Sequence, residues 1–142
     1  GGTANCIVIV SDVRISSPIV TTFDSAIILN QPSLDKFLPR IKPGGLLVYE
    51  KSTIIKVPDR SDIEIFSVAG ILEAQALTSK QVANVVMLGA FLERRSMVDP
   101  ENVVKALRKV LPAHRLQLLP LNEQALRRGK ELARQHTEPL MA

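Results

Sequence analysis

Apolar residues along this 142-residue chain follow two patterns: short unbroken runs in the first half, and three- and four-residue intervals in the second. Cys6-Ile7-Val8-Ile9-Val10 is a continuous, largely β-branched run, the pattern of a strand buried on both faces. Ser11-Asp12 ends it, and Ser16-Ser17-Pro18 marks a loop. Ala26–Leu29, introduced by Asp24-Ser25, predicts a second short strand, Leu46–Tyr49 a third and Ile63–Val68 a fourth. Between the second and third the period changes. Leu34, Phe37, Leu38 and Ile41 share one helical face, Pro32 suits a first helical turn, and Pro39 must end or kink the helix. Lys42-Pro43-Gly44-Gly45 has the composition of a type II turn, with glycine at the third position. Strand, helix and strand in this order imply crossover units. The expected fold is therefore α/β: a largely parallel, mixed sheet flanked by helices, with a helical C-terminal half.

In that second half, Val82–Leu92 is apolar on nearly every side and predicts a deeply buried helix. Gly89 within it points to a close neighbour, because glycine costs a helix about 1 kcal/mol relative to alanine. Asp99-Pro100 predicts the start of the next helix, with Val103, Ala106, Leu107 and Val110 as its stripe and Glu101–Lys105 as an outer pair. Leu111-Pro112 stops it. Asn122 is expected to cap a last helix over Glu123–Gln135, with Ala125, Gly129, Leu132 and Ala133 inward and Arg127, Arg128, Lys130 and Arg134 toward solvent or a partner.

With 46% hydrophobic and 23% charged residues, the chain can form a globular core and is not a disordered segment. The length fits one domain, residues 1–142. No apolar run approaches the roughly 20 residues of a membrane span, so no membrane partner is expected. The single Cys6, set in an apolar run, reads as a small buried hydrophobe. One cysteine forms no intrachain disulfide and cannot assemble an iron–sulfur cluster, and the expected localisation is cytoplasmic. The net charge of +4 is concentrated late: residues 94–142 hold ten Lys/Arg and five Asp/Glu. Low aromatic content, 4%, removes the stacking platforms of single-strand binders, so nucleic acid is not the expected partner.

Motifs for self-contained catalysis are missing. No phosphate loop, nucleophile elbow or metal-ligand spacing is present, and His114 and His136 are too far apart in sequence to read as a ligand pair. Gly44-Gly45 is too short to cradle a phosphate. Four polar residues remain as candidates for cofactor binding: Asn5, Asn30, Gln31 and Asn84. Asn5 precedes the first expected strand. Asn30 and Gln31 stand where a strand ends and a helix begins, the position at which open α/β sheets bind ligands. Helix capping is the competing reading for Asn30 and Gln31, and a structural hydrogen bond for Asn84. No catalytic residue is assigned.

Three blocks carry a resemblance: Gly1-Gly2-Thr3-Ala4-Asn5-Cys6 before an apolar run; Asn30-Gln31-Pro32-Ser33-Leu34-Asp35-Lys36-Phe37 with Lys42-Pro43-Gly44-Gly45-Leu46-Leu47; and Ala83-Asn84-Val85-Val86-Met87-Leu88-Gly89-Ala90. In this order they resemble the gamma subunit of 2-oxoacid:ferredoxin oxidoreductases over most of the chain. The resemblance implies a subunit, inactive alone, of a complex that converts a 2-oxoacid and coenzyme A to acyl-CoA and carbon dioxide while reducing ferredoxin. It implies thiamine diphosphate and iron–sulfur clusters on companion alpha and beta subunits, with a delta subunit in some complexes. It also implies contact with coenzyme A or closure of its channel by this subunit. The first block favours 2-oxoglutarate over pyruvate. Family members carry a glycine-rich strand–loop–helix ahead of that block, and this sequence starts at the block, as a fragment or as a short variant; in a short variant an open sheet edge that needs a partner is expected. Two other readings compete: a stand-alone module binding coenzyme A or a nucleotide near Asn5 and Asn30, and a basic adaptor docking through the last helix.

Overall fold

The computed structural model describes residues 4–136. Three parallel strands form one sheet in the order β1 (Phe23–Ile28), β2 (Ile41–Glu50), β3 (Glu64–Val68). Among the described residues the sheet is wholly parallel, with Ala26 opposite Leu47 and Leu47 opposite Ile65. The crossover between β1 and β2 is α1 (Gln31–Phe37). Pro39 ends it, and the chain tightens into a 3₁₀ turn over Leu38–Arg40 before entering β2. The expected Lys42–Gly45 turn lies inside β2 as an irregularity: Phe23 pairs with Ile41, and pairing resumes at Ser25 with Leu46. Gly44 takes φ +78°, the left-handed conformation that its position in the turn demands. Arg60 braces the junction, donating from Nη1 to the carbonyls of Leu38 and Ile41 at 2.8 Å each.

Alternation along β2 sorts its side chains into two cores. Leu47 and Tyr49 join Ile28, Leu34, Ile41, Ile54 and Ile63 on the α1 side. Leu46 and Val48 join Phe66 and Val68 under α2 (Gly70–Ala76), α3 (Ala83–Arg94) and α5 (Leu119–Gln135). Both faces of the central strand are thereby dry, and every residue from Leu46 to Glu50 is buried. α3 and α5 make the largest helix contact, and Gly89 and Gly129 sit where it is tightest. α4 (Pro100–Val110) lies outside, resting through Val103 and Val104 on the second core.

Four expectations need correction. Cys6–Val10 forms no strand: residues 4–22 have no regular secondary structure beyond bends, and Cys6 is exposed instead of buried. A β-branched run becomes a strand only when another strand meets its backbone groups, and among the described residues β1 pairs only with β2. Gly1-Gly2-Thr3 of the first block lie outside the described residues. Asn122 is no cap. The last helix begins four residues earlier, at Leu119, with Pro120 in its first turn, and buried Asn122 donates from Nδ2 to the Leu118 carbonyl at 2.8 Å. Asp99 does precede α4, but its side chain makes no capping bond, and Glu101–Lys105 forms no ion pair among the described residues. Of the α5 cations expected to face solvent or a partner, Arg128 and Lys130 are half-buried against carboxylates of the fold, while Arg134 pairs with Glu93 yet stays exposed. Arg128 bonds Glu73 at 2.7 Å, Arg134 bonds Glu93 at 2.7 Å, and Lys130 also reaches Glu93 at 3.8 Å.

Candidate functional site

Parallel strands bring their carboxyl ends to one edge, here Ile28, Glu50 and Val68, together with the segments that follow them. Each following segment is fastened by a side chain. Asn30 caps α1, its Oδ1 accepting from the Ser33 amide at 3.0 Å. Gln31 accepts at Oε1 from the amides of Ile55 and Lys56, at 3.0 and 2.9 Å, and donates through Nε2 to Asp35 at 2.8 Å. Thr53 donates to the Leu29 carbonyl at 2.6 Å. The loop after β2 is thus tied to the end of β1 and the start of α1, while Ile54 drops into the core beneath.

The residue missed in the sequence is Glu50. It is 1% exposed, at the last position of the central strand. Oε1 accepts from the amide and hydroxyl of Ser52, at 2.9 and 2.6 Å, and Oε2 accepts from the Ile71 amide at 3.0 Å in the first turn of α2. Three donors converging on one carboxylate satisfy a charge that burial would otherwise make costly. Gly70 adjoins this contact, where an added Cβ would stand 3.0 Å from Oε2 and 2.9 Å from Met87 Sδ. The available signal was an acid closing the apolar run Leu46–Tyr49, followed by Ser52.

The structure thus brings Asn30 and Gln31 together with Glu50 and the 51–57 loop at one end of the sheet. Asn5 lies exposed in the irregular N-terminal segment, and Asn84 lies exposed in the first turn of α3. No hydrogen bond among the described residues joins either of them to that end. A shallow depression of about 270 Å³ follows β3, lined by Phe66, Ser67, Ala69, Glu73, Leu132 and His136. Large aliphatic side chains are exposed both at this end of the sheet and in the N-terminal segment. Ile7, Val8, Val10, Val13, Ile15 and Ile19 in the N-terminal segment, Ile27 and Leu29 at β1, and Ile55 and Val57 in the loop are all exposed. Val8 is 77% exposed and Ile55 91%.

Cofactor chemistry finds little purchase here. Iron–sulfur clusters need several thiolates, and this chain has one cysteine. Among the described residues, no three His, Cys, Asp or Glu side chains lie close enough to hold a metal ion. No helix among them is long and apolar enough to cross a membrane.

A sheet that is wholly parallel among the described residues, with helices on both faces and fastened loops at its carboxyl end, defines an α/β domain. The pyruvate ferredoxin/flavodoxin oxidoreductase family matches residues 1–132, and the chain belongs to that family. Similar curated proteins include the ketoisovalerate oxidoreductase subunit VorA of Methanothermobacter thermautotrophicus, 32% identical over 97% of this chain and 28% of the relative. The 2-oxoglutarate synthase subunit KorC of Methanocaldococcus jannaschii is 29% identical over 79% of this chain and 61% of its own. Among solved structures, the gamma subunit of a keto/oxoacid ferredoxin oxidoreductase from Geobacter sulfurreducens superposes with a TM-score of 0.69 at 27% identity, over 79% of this chain and 64% of that one. The chain spans less than two thirds of the length of each of these proteins. The family read from the three sequence blocks is the one found.

Proposed function

We propose that this chain acts as the gamma-type subunit of a cytoplasmic 2-oxoacid:ferredoxin oxidoreductase and carries no catalytic residue of its own. The observation that supports this most is the number of large aliphatic side chains left exposed between Ile7 and Val57. Ten large aliphatic side chains are exposed there, more than an isolated domain usually leaves in one stretch of chain. Companion subunits, alpha and beta with or without delta, would cover that surface. They would also carry the thiamine diphosphate and the iron–sulfur clusters, which supply the carbon and electron-transfer chemistry; a cluster does not fit the one cysteine of this chain.

The contribution of this chain is positional. Glu50, Gln31 and Thr53 fix the 51–57 loop, and that loop with Asn30 presents a shaped edge toward the companion subunits and the coenzyme A that the reaction consumes. Asn5 and Asn84 are further candidate contacts, both exposed and free to meet a neighbour. Likeness to the 2-oxoglutarate synthase subunit, together with the form of the first sequence block, supports 2-oxoglutarate as substrate over pyruvate. The ketoisovalerate relative makes a branched 2-oxoacid the competing substrate.

Co-expression with the companion subunits, size-exclusion chromatography and a 2-oxoacid- and coenzyme-A-dependent dye-reduction assay test the proposal. Co-elution, with activity lost when this chain is omitted, is the expected result, and 2-oxoglutarate, ketoisovalerate and pyruvate are then ranked side by side. Separate elution with activity intact in the remaining subunits would overturn the proposal.

A further inference from the structure

The cations of the second half form two populations. On α3 and α5, most are turned onto carboxylates: Arg94 and Arg95 onto Glu64, Arg128 onto Glu73 and Glu131, Lys130 and Arg134 onto Glu93. Residues 105–115 contain four more, Lys105, Arg108, Lys109 and Arg115, and no acid. All four are exposed, and none forms an ion pair with a described residue. Glu101 stands four residues before Lys105, a spacing that favours pairing, yet the pair is not made.

This arrangement opposes the stability of α4 itself. Lys105–Arg108 and Lys105–Lys109 are like charges three and four residues apart, and such neighbours on a helix repel. Arg108 and Lys109 lie in the last turn, where the helix dipole favours cations; Lys105 and Arg115 have no such compensation. Apolar side chains also rise through the charged surface. Val110 is 78% exposed and Leu116 40%, and α4 contains no fully buried residue.

We propose that the exposed surface of α4 and the turn after it, with Lys105, Arg108, Lys109 and Arg115, docks an acidic surface of a companion subunit. This inference rests on the subunit reading above. Charge complementarity selects the partner: four unpaired cations steer and register a surface of carboxylates. The exposed aliphatic groups Val110 and Leu116 adjoin the cations in the chain and add apolar area to such an interface. A nucleic acid would use the cations but not Val110 and Leu116, and residues 100–118 contain no Phe, Tyr or Trp on which a base could stack.

The test is to form the complex of the full chain with its companion subunits and measure affinity by biolayer interferometry at 50 and 300 mM NaCl. Three forms are compared: the parent, the triple variant Lys105→Glu/Arg108→Glu/Lys109→Glu, and the control Arg127→Glu on α5. Circular dichroism and a thermal melt establish that α4 is still folded. The neutral triple variant with Gln at the same positions keeps helix propensity and removes only the charge. Expected are a loss of about tenfold or more for the reversal, a smaller loss for the Gln form, little change for Arg127→Glu, and weakening of the parent at high salt. A folded reversal variant that binds as tightly as the parent overturns the docking surface and leaves the subunit role standing. Absence of any complex removes both. Binding of a 20-nucleotide single strand that depends on the same three residues, with companion binding unaffected by them, overturns the choice of a protein partner.

Discussion

Gly129 on α5 lies against the main chain of Val86 on α3, where a Cβ at residue 129 would collide with the Val86 carbonyl oxygen and stand 2.8 Å from the Ala90 amide nitrogen. Gly89 on α3 stands in the same relation to the Leu126 carbonyl of α5. The helices therefore meet backbone to backbone at two points, and neither can take a side chain without separating the pair. On an exposed helix, Gly→Ala stabilises by about 1 kcal/mol. Here the sign reverses: Gly129→Ala and Gly89→Ala each destabilise by about 2 kcal/mol or more, through overpacking against atoms that cannot rotate away. Urea denaturation measures this, and a variant as stable as the parent would show that the helices are not in that contact.

The close approach at Gly89 was readable in the sequence because a glycine in an apolar helix is an expense that only proximity offsets. The apolar run Leu46–Tyr49 was likewise readable as a strand, and Leu34 with Phe37 as one helix face, but Ile41, expected on that face, instead opens β2 because Pro39 ends the helix. The failures share a cause. Cys6–Val10 has every local mark of a strand, but strand formation is settled by a neighbour that local sequence does not name. α2 was missed because it is short, starts at Gly70 and buries only Gly70 and Ala74, leaving no large apolar stripe. At the candidate site, Asn30 and Gln31 were found from their place after a strand. Glu50 was not, because the donors that make its burial tolerable come from Ser52 and Ile71, and the second of these is 21 residues away.

That carboxylate supports the next expectation. Glu50→Gln keeps the shape but turns one acceptor into a donor facing an amide or hydroxyl, and Glu50→Ala leaves all three donors without their acceptor. Both variants should lose about 1.5–3 kcal/mol, the range for hydrogen bonds to a charged group. Ser52→Ala, which removes one of the three bonds, should lose less. Chemical denaturation of the set, with hydrogen exchange at Ile71, distinguishes a carboxylate that holds α2 to the sheet from one that merely fills space. Equal stability of Glu50→Gln and parent would sink the idea.

Gln31 divides its work between Oε1, which holds the 51–57 loop, and Nε2, which reaches Asp35. Gln31→Glu keeps an acceptor for the Ile55 and Lys56 amides and loses the donor, placing a like charge four residues from Asp35. Gln31→Ala loses both. Amide exchange at Ile55 and Lys56 should accelerate about tenfold or more in the alanine variant and change much less in the glutamate variant, as one lost loop bond of about 1.4 kcal/mol would produce. If both variants speed exchange alike, the loop is not held by Oε1.

Arg60 and Asp62 give the chain a pH-dependent brace. Asp62 accepts twice from the Arg60 guanidinium, at 2.9 Å from Nε and 2.5 Å from Nη2, while Nη1 of the same group holds the carbonyls of Leu38 and Ile41. The hydrogen bonds from Arg60 lower the Asp62 carboxyl below its ordinary range, and the same pairing raises Arg60. A carboxyl whose folded value lies below its unfolded one, about 3.9 for aspartate, contributes stability that is fully present above the unfolded value. That contribution is lost as pH falls through the folded value. Arg60 stays charged across this window, so only Asp62 titrates. Thermal melts of the parent and Asp62→Asn should therefore differ by a constant amount from pH 6 to 8, with the parent more stable. The gap should close in acid as Asp62 itself becomes neutral. Arg60→Lys, which cannot span both carbonyls and the carboxylate with one planar group, should lose the brace at neutral pH as well. A gap between parent and Asp62→Asn that persists unchanged below pH 3 would mean that the Asn side chain perturbs packing and that the ion pair is not the source of the difference.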